Sequence, residues 1–304
     1  MIPNLLICNS GGLGCSLYKY IEWHIFKNDS NTFYMFYGNK GINNDSLAVF
    51  PFDNISTDIH KNIFYKFFKF PENKTIDNLI DNNNVKITAF PWSDPNIIAH
   101  YPDIIKSVCE LEKGSHIGCL NILKKINTPE FLEIRKIYND LCDKYLKLTD
   151  EFEVTLQNEL KYIKSLQKQG KKILCVMIRM HIYDGDDPIS FLDKLIIEID
   201  EKMIEYDYIL PITQIDIFYD IICNHFKEKC IQIERKRLPC NTDWLKDVTD
   251  DQFENEIKYA LLDICIASEC DYILSGVSGM YVTAIMRNIN VQSSLFKAVI
   301  NTNY

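Results

Sequence analysis

The stretch Glu256 to Arg287, EIKYALLDICIASECDYILSGVSGMYVTAIMR, contains the alternation that decides the fold. Ile257, Ala260, Leu261, Ile264 and Cys265 recur at i, i+3, i+4, i+7 and i+8, the period of an amphipathic helix. Thr249 and Asp250 supply capping chemistry upstream of it. Asp271 to Leu274 reads as a short buried strand, Ser275 to Gly279 as a turn of small residues, and Tyr281 to Met286 as a second helix. A strand that feeds a Gly/Ser turn opening a helix gathers backbone N–H groups and a positive helix end at one spot. A phosphate is held most readily there. A nucleotide-dependent enzyme is the first expectation.

Working outward, the same rhythm runs back to residue 173. The pattern predicts strand 173–178, helix 189–204, strand 207–212, helix 214–226, strand 230–233, helix 252–268, strand 271–275 and helix 280–287. Before it lies a helix over 151–169, with Phe152, Leu156, Leu160 and Ile163 as its apolar stripe and Gly170 at the C′ position. The region 103–150 reads as mainly helical. Nearer the N-terminus, Leu5 to Cys8, Thr32 to Tyr37, Leu47 to Phe52 and Val85 to Phe90 are strand candidates. Leu17, Tyr20, Ile21 and His24 continue at helical spacing from Leu13. Strands alternating with helices indicate an α/β protein with parallel sheets. A boundary near 165–172 divides the chain into two α/β halves, 1–168 and 169–304, facing each other across a cleft.

With 304 residues the chain can bury one large core or two smaller ones. Its net charge of −9 argues against a general nucleic-acid binder, which needs a basic field over the phosphates. The run Arg235-Lys-Arg237 reads as a solvated loop that could face a diphosphate. Eleven cysteines without a CxxC pair read as reduced thiols behaving as small hydrophobes, which points to a reducing, cytoplasmic setting. Neither a disulfide framework nor a metal site is expected. The N-terminus lacks the basic start of a signal peptide, and no apolar run reaches membrane-spanning length. The abundance of Lys, Ile and Asn fits an AT-rich genome such as those of some large viruses and protists.

Four constellations carry chemistry. Gly11, Gly12 and Gly14 lie between a strand and a helix. They either let the backbone approach an anion or merely allow tight packing, and their spacing is not that of the dinucleotide fingerprint. Arg179 emerges at the C-terminal end of a strand, where α/β sheets bind ligands; its guanidinium presents a fork to phosphate oxygens or pairs with a carboxylate. Beyond it, Asp184, Asp186 and Asp187 offer a general base or a solvated loop. Thr213 and Asp216 stand at a strand end, placed to cap the next helix or to reach a nucleoside. In the quoted stretch, Asp263 sits in an apolar run and needs a partner if buried, either a ligand hydroxyl or an arginine of the chain. Ser275 and Ser278 add hydroxyl donors beside Gly276 and Gly279.

Taken together, these residues resemble the fucosyltransferase superfamily, whose α1,2-, α1,6- and protein O-fucosyltransferases are inverting, metal-independent GT-B enzymes using GDP-fucose. The Gly-Gly-Leu-Gly-Asn motif of that family matches Gly11 to Gly14, with Cys15 in place of asparagine. Its His-x-Arg-Arg matches Met177 to Met180 and retains only Arg179. The resemblance implies that Arg179 binds the donor diphosphate and that one of Asp184, Asp186 and Asp187 is the base. It also implies that Thr213, Asp216 and Asp263 lie near the nucleoside and Ser275 to Gly279 near the phosphates. The implied function is transfer of a sugar, fucose first, from a GDP-linked donor to a glycan or other hydroxyl acceptor without a cofactor. The alternatives are a non-catalytic sugar- or nucleotide-binding relative and another transferase of this fold, such as a polysaccharide pyruvyl transferase.

Overall fold

The structure of the chain is a computed structural model that describes residues 4–8, 13–26, 33–36, 64–69, 86–88, 101–109, 117–178, 188–237 and 250–297. In chain order the elements begin with β1 (Asn4–Cys8), α1 (Leu13–Phe26), β2 (Phe33–Phe36), α2 (Phe64–Phe67) and β3 (Lys86–Thr88). Four helices follow: α3 (Asp103–Cys109), α4 (Leu120–Leu123), α5 (Pro129–Tyr145) and α6 (Asp150–Lys168). The chain then alternates through β4 (Ile173–Ile178), α7 (Pro188–Met203), β5 (Tyr208–Thr213), α8 (Asp216–Phe226), α9 (Asp250–Ser268), β6 (Tyr272–Ser275), α10 (Gly279–Arg287) and β7 (Gln292–Leu295). All strand pairings among these elements are parallel, in the orders β2-β1-β3 and β5-β4-β6-β7.

Local chemistry explains the long helices. Thr128 accepts from the Phe131 amide ahead of Pro129 at the first turn of α5, and Thr149 accepts from the Phe152 amide at the start of α6. Asp150, Glu151 and Glu153 put negative charge at the positive end of α6. Gly170, at φ +77°, turns the chain out of α6, with its amide bonded to the Gln167 carbonyl.

The second sheet is covered on both faces. Leu174, Val176 and Ile178 of β4 pack with Leu192, Leu195 and Ile199 of α7 and Phe218 and Ile222 of α8. The alternate residues Ile173, Cys175 and Met177 belong to the larger core with α5, α6, α9 and α10. That core also takes in Leu13, Leu17, Tyr18, Tyr20 and Ile21 of α1, so apolar packing runs without a break from the first half of the chain to the last.

Most predicted elements lie within two residues of those observed. The strand expected over 230–233 is reduced to a single bridge, Ile209 to Cys230, after which 231–237 form no regular structure. The edge strand β7 was not anticipated, because Gln292-Ser-Ser-Leu has neither apolar character nor alternation. The strand expected over Leu47 to Phe52 and the cap at Thr249 lie outside the described residues.

Candidate functional site

The quoted stretch folds as α9, β6, a turn and α10, and the turn meets the start of α1. Gly14 and Gly279 stand back to back. A Cβ on Gly14 would lie 2.2 Å from the Gly279 carbonyl carbon and the Met280 nitrogen, and one on Gly279 would lie 2.4 Å from the Cys15 nitrogen. Only glycine permits that approach. The Thr283 hydroxyl reaches the Gly14 and Gly279 carbonyls, each at 2.9 Å, and ties the two helices together. Close packing is therefore the demonstrated role of Gly14. The packing also sets two helix N-termini side by side, and the first amides of a helix have no intrahelical acceptor. Their positive ends favour an anion at that point.

Around this point the serines have defined jobs. Ser275 is fully buried at the end of β6, its hydroxyl within donating range of the Met177 carbonyl (3.1 Å) and the Gly276 carbonyl (2.9 Å). It locks β6 to β4. The Gly276 amide also reaches Met177 O, at 3.4 Å. Ser278 is the N-cap of α10, its oxygen accepting from the Tyr281 amide at 3.1 Å. That bond uses a lone pair of the hydroxyl and does not engage its proton.

The far end of α10 is clamped. Arg135, buried on α5, donates to the carbonyls of Ile285 (3.0 Å), Asn288 (2.8 Å) and Val291 (2.9 Å), and Asn139 donates to Arg287 O (2.6 Å). Burial draws the Arg135 pKa down, yet the three carbonyls at the negative end of the helix suit its charge. The clamp fixes where the N-terminus of α10 points.

Thr213 ends β5 and Asp216 opens α8, but neither is the N-cap of α8; that position is Ile215. The Thr213 hydroxyl accepts from the Ile215 amide at 3.2 Å, and Asp216 accepts from the Ile217 amide at 2.6 Å. Asp263 has the arginine partner that its apolar setting demanded. Arg235 Nε donates to Asp263 at 3.3 Å, and its two terminal nitrogens donate to Glu159 at 3.1 and 3.3 Å. The guanidinium also lies 5.0 Å from the centre of the Tyr259 ring.

An arginine of the chain was one of the two partners foreseen for Asp263, but Arg235 and the link to Glu159 were not named, because Arg235-Lys-Arg237 read as a solvated loop. The carboxylate of Asp263 within an apolar run was the signal that called for such a partner. The run instead lines an open surface pocket of about 370 Å³ formed by Tyr219 and residues 232–237. Arg237 stacks on the Tyr219 ring and donates to Ile233 O, while its buried Nε has no protein partner. Gly11, Gly12, Arg179, Asp184, Asp186 and Asp187 lie outside the described residues.

No protein-family model matches the sequence, and no curated protein sequence does. Among solved structures, the fold is similar to that of NodZ alpha-1,6-fucosyltransferase co-crystallized with GDP. The TM-score is 0.54 at 14% identity, over 93% of this chain and 92% of that one. NodZ soaked with GDP-fucose gives 0.52 at 14% identity, over 94% and 92%. The fucosyltransferase NodZ from Bradyrhizobium gives 0.51 at 14% identity, over 93% and 92%. The chain thus has a divergent fucosyltransferase-like fold, mixed α/β with parallel sheets. No described helix is long and apolar enough to cross a membrane.

Proposed function

We propose that the chain is an inverting, metal-independent glycosyltransferase that moves a sugar from a nucleotide-sugar donor, GDP-fucose being the first candidate, to a glycan or other hydroxyl acceptor. The observation that carries this reading is the meeting of α1 and α10 at Gly14 and Gly279, which aligns two helix N-termini beside Ser278. The likeness to structures of NodZ co-crystallized with GDP or soaked with GDP-fucose supports it.

In this reading the donor diphosphate lies against the first amides of α1 and α10, the Ser278 hydroxyl and Arg179. Positive charge placed in advance where negative charge develops on the leaving group is the electrostatic contribution that usually dominates. One of Asp184, Asp186 and Asp187 takes the acceptor proton, help worth about 10²–10⁴-fold. The donor is held mainly by residues 169–304, with the start of α1 at Gly14 completing its phosphate site, and the acceptor by the rest of 1–168, across a cleft. Thr213, Asp216 and Asp263 serve the nucleoside end, with Asp263 acting through Arg235.

The internal partners of Ser275 and Asp263 favour one second reading, a nucleotide-binding relative without turnover. Thermal unfolding with GDP, UDP, dTDP, CMP and their sugar conjugates in EDTA tests the donor site. A ligand at ~100 times its Kd adds about 2.7 kcal/mol. Stabilisation by GDP that is lost in Arg179→Ala is expected. Stabilisation by another nucleotide alone discards fucose, and indifference to all of them overturns the donor site. Release of GDP from GDP-fucose in the presence of a glycan separates transferase from binder.

A further inference from the structure

The last turn of α8 and the bridge at Cys230 hold a pair of thiols for which the donor site has no use. Cys223 and Cys230 place their sulfurs 2.8 Å apart in a thiol–thiol contact in which either can donate. Between them the chain passes through a 3₁₀ turn, Lys227–Lys229, and Lys227 adopts φ 48° and ψ −120°, a backbone conformation that L residues rarely take. The Lys227 amide bonds to Cys223 O, and the Cys230 amide bonds to Lys227 O at 2.9 Å. The loop is thus pinned in the shape that brings the sulfurs together.

Access separates this pair from the buried thiols of the chain. Cys109, Cys142, Cys175, Cys265 and Cys270 are buried; Cys15, Cys119, Cys223 and Cys230 are partly exposed, and Cys223 and Cys230 combine that exposure with direct sulfur contact. Cys175 and Cys270 also neighbour one another, but inside the core, where no reagent reaches them. The two thiols in contact have unequal chemistry. The Cys230 S–H bond, helped by Tyr219 and Arg237, draws the Cys223 thiol down to about 7, while the same bond and burial push Cys230 up. Cys223 is thereby the attacking thiolate near neutral pH and Cys230 the resolving thiol.

We propose that Cys223 and Cys230 form a reversible dithiol–disulfide site that exchanges with low-molecular-weight disulfides. The Cys223 thiolate attacks one sulfur of RS–SR, forming a mixed disulfide and expelling RS⁻. The Cys230 sulfur then loses its proton, attacks the Cys223 sulfur and expels the second RS⁻. Two protein thiols are oxidised to one disulfide, RS–SR is reduced to two thiols, and the two protons end on the departing thiolates. Closure shortens the sulfur separation by less than about 1 Å, because a disulfide bond is about 2.0 Å long. The site is independent of the donor-site reading. It ties the end of α8 to the segment that leads into the pocket lining at 232–237.

Trypsin gives a direct test. Cleavage after Lys202, Lys227, Lys229 and Arg235 puts Cys223 on peptide 203–227 and Cys230 on peptide 230–235, so only a disulfide keeps the two together. The chain is equilibrated in buffers of graded reduced-to-oxidised glutathione ratio, acid-quenched, alkylated and digested. The expected result is a crosslinked peptide pair that grows with oxidised glutathione, disappears with dithiothreitol and comes from protein that runs as monomer on a non-reducing gel. In Cys230→Ser, whose fold is checked by far-UV circular dichroism, glutathione should instead remain on Cys223. Alkylation of both peptides at every ratio, or glutathione persisting on wild-type Cys223 without a crosslink, overturns the proposal. If Cys230→Ser does not fold, the wild-type crosslink decides alone.

Discussion

Glu22 shows what a single buried carboxyl does to a protein of this kind. It is about 1% exposed on α1, and Tyr138 of α5 donates to it at 2.6 Å. Burial lifts its pKa from 4.5 to about 8, and neither the Tyr138 hydrogen bond nor the charge of Lys19 cancels that rise. The native state therefore keeps a proton that the unfolded chain sheds above about pH 4.5. The stability this gives is complete below that pH and is lost as pH rises through about 8, with a slope of at most about 1.4 kcal/mol per pH unit. Midpoints of thermal unfolding between pH 5 and 9 should fall for the wild type and fall less steeply for Glu22→Gln. Parallel curves for the two proteins would remove Glu22 as the cause.

Between elements, the contact of α1 with α10 matters most to the proposed site, and the two glycines there can be told apart from a turn glycine. A Cβ at Gly14 meets backbone atoms at 2.2 Å, which a side-chain rotation cannot relieve. Gly14→Ala should cost about 1–3 kcal/mol or more by forcing α1 from α10. At Gly170 nothing lies within 4 Å of an added Cβ, and Gly170→Ala should cost only the left-handed backbone penalty, about 1–2 kcal/mol. Urea midpoints would read the difference, and Gly14→Ala should also weaken GDP stabilisation where Gly170→Ala should not. Equal losses in both readouts would show that the helices tolerate separation.

The sequence announced the helices and strands around this contact because Ile257, Leu261, Ile264 and Cys265 repeat at helical spacing and β4 is apolar throughout. It did not announce which glycine pairs with which, since Gly14 and Gly279 lie far apart along the chain and meet only through tertiary packing. Arg235 escaped for the same reason: a basic triplet looks solvated until Glu159 and Asp263, from two other helices, are placed around it. The strand expected at 230–233 has the apolar alternation of Ile231 and Ile233, but only the bridge at Cys230 extends the β5 edge. Local pattern specifies propensity, and the ladder itself depends on a neighbouring edge.

At the scale of the whole molecule, topology and packing divide the chain differently. The residue 168/169 boundary separates β1–β3 from β4–β7, and no described ladder joins the two sheets. The apolar core ignores that boundary, because α1, α3, α5 and α6 before it share one cluster with α9 and α10 after it. Arg135 and Asn139 cross it as well, bonding carbonyls at and beyond the end of α10. Two halves with separate cores would unfold in two steps, as chains of several domains commonly do. Halves that share a core lose α1 and α10 together, since neither can stay folded with its buried face in water. A single calorimetric transition is therefore expected, with the van't Hoff enthalpy equal to the calorimetric one, and Gly14→Ala should move the whole transition down rather than split it. Two resolved transitions, only one of them shifted by Gly14→Ala, would show that the halves are held by a contact much weaker than the buried α1–α10 packing implies.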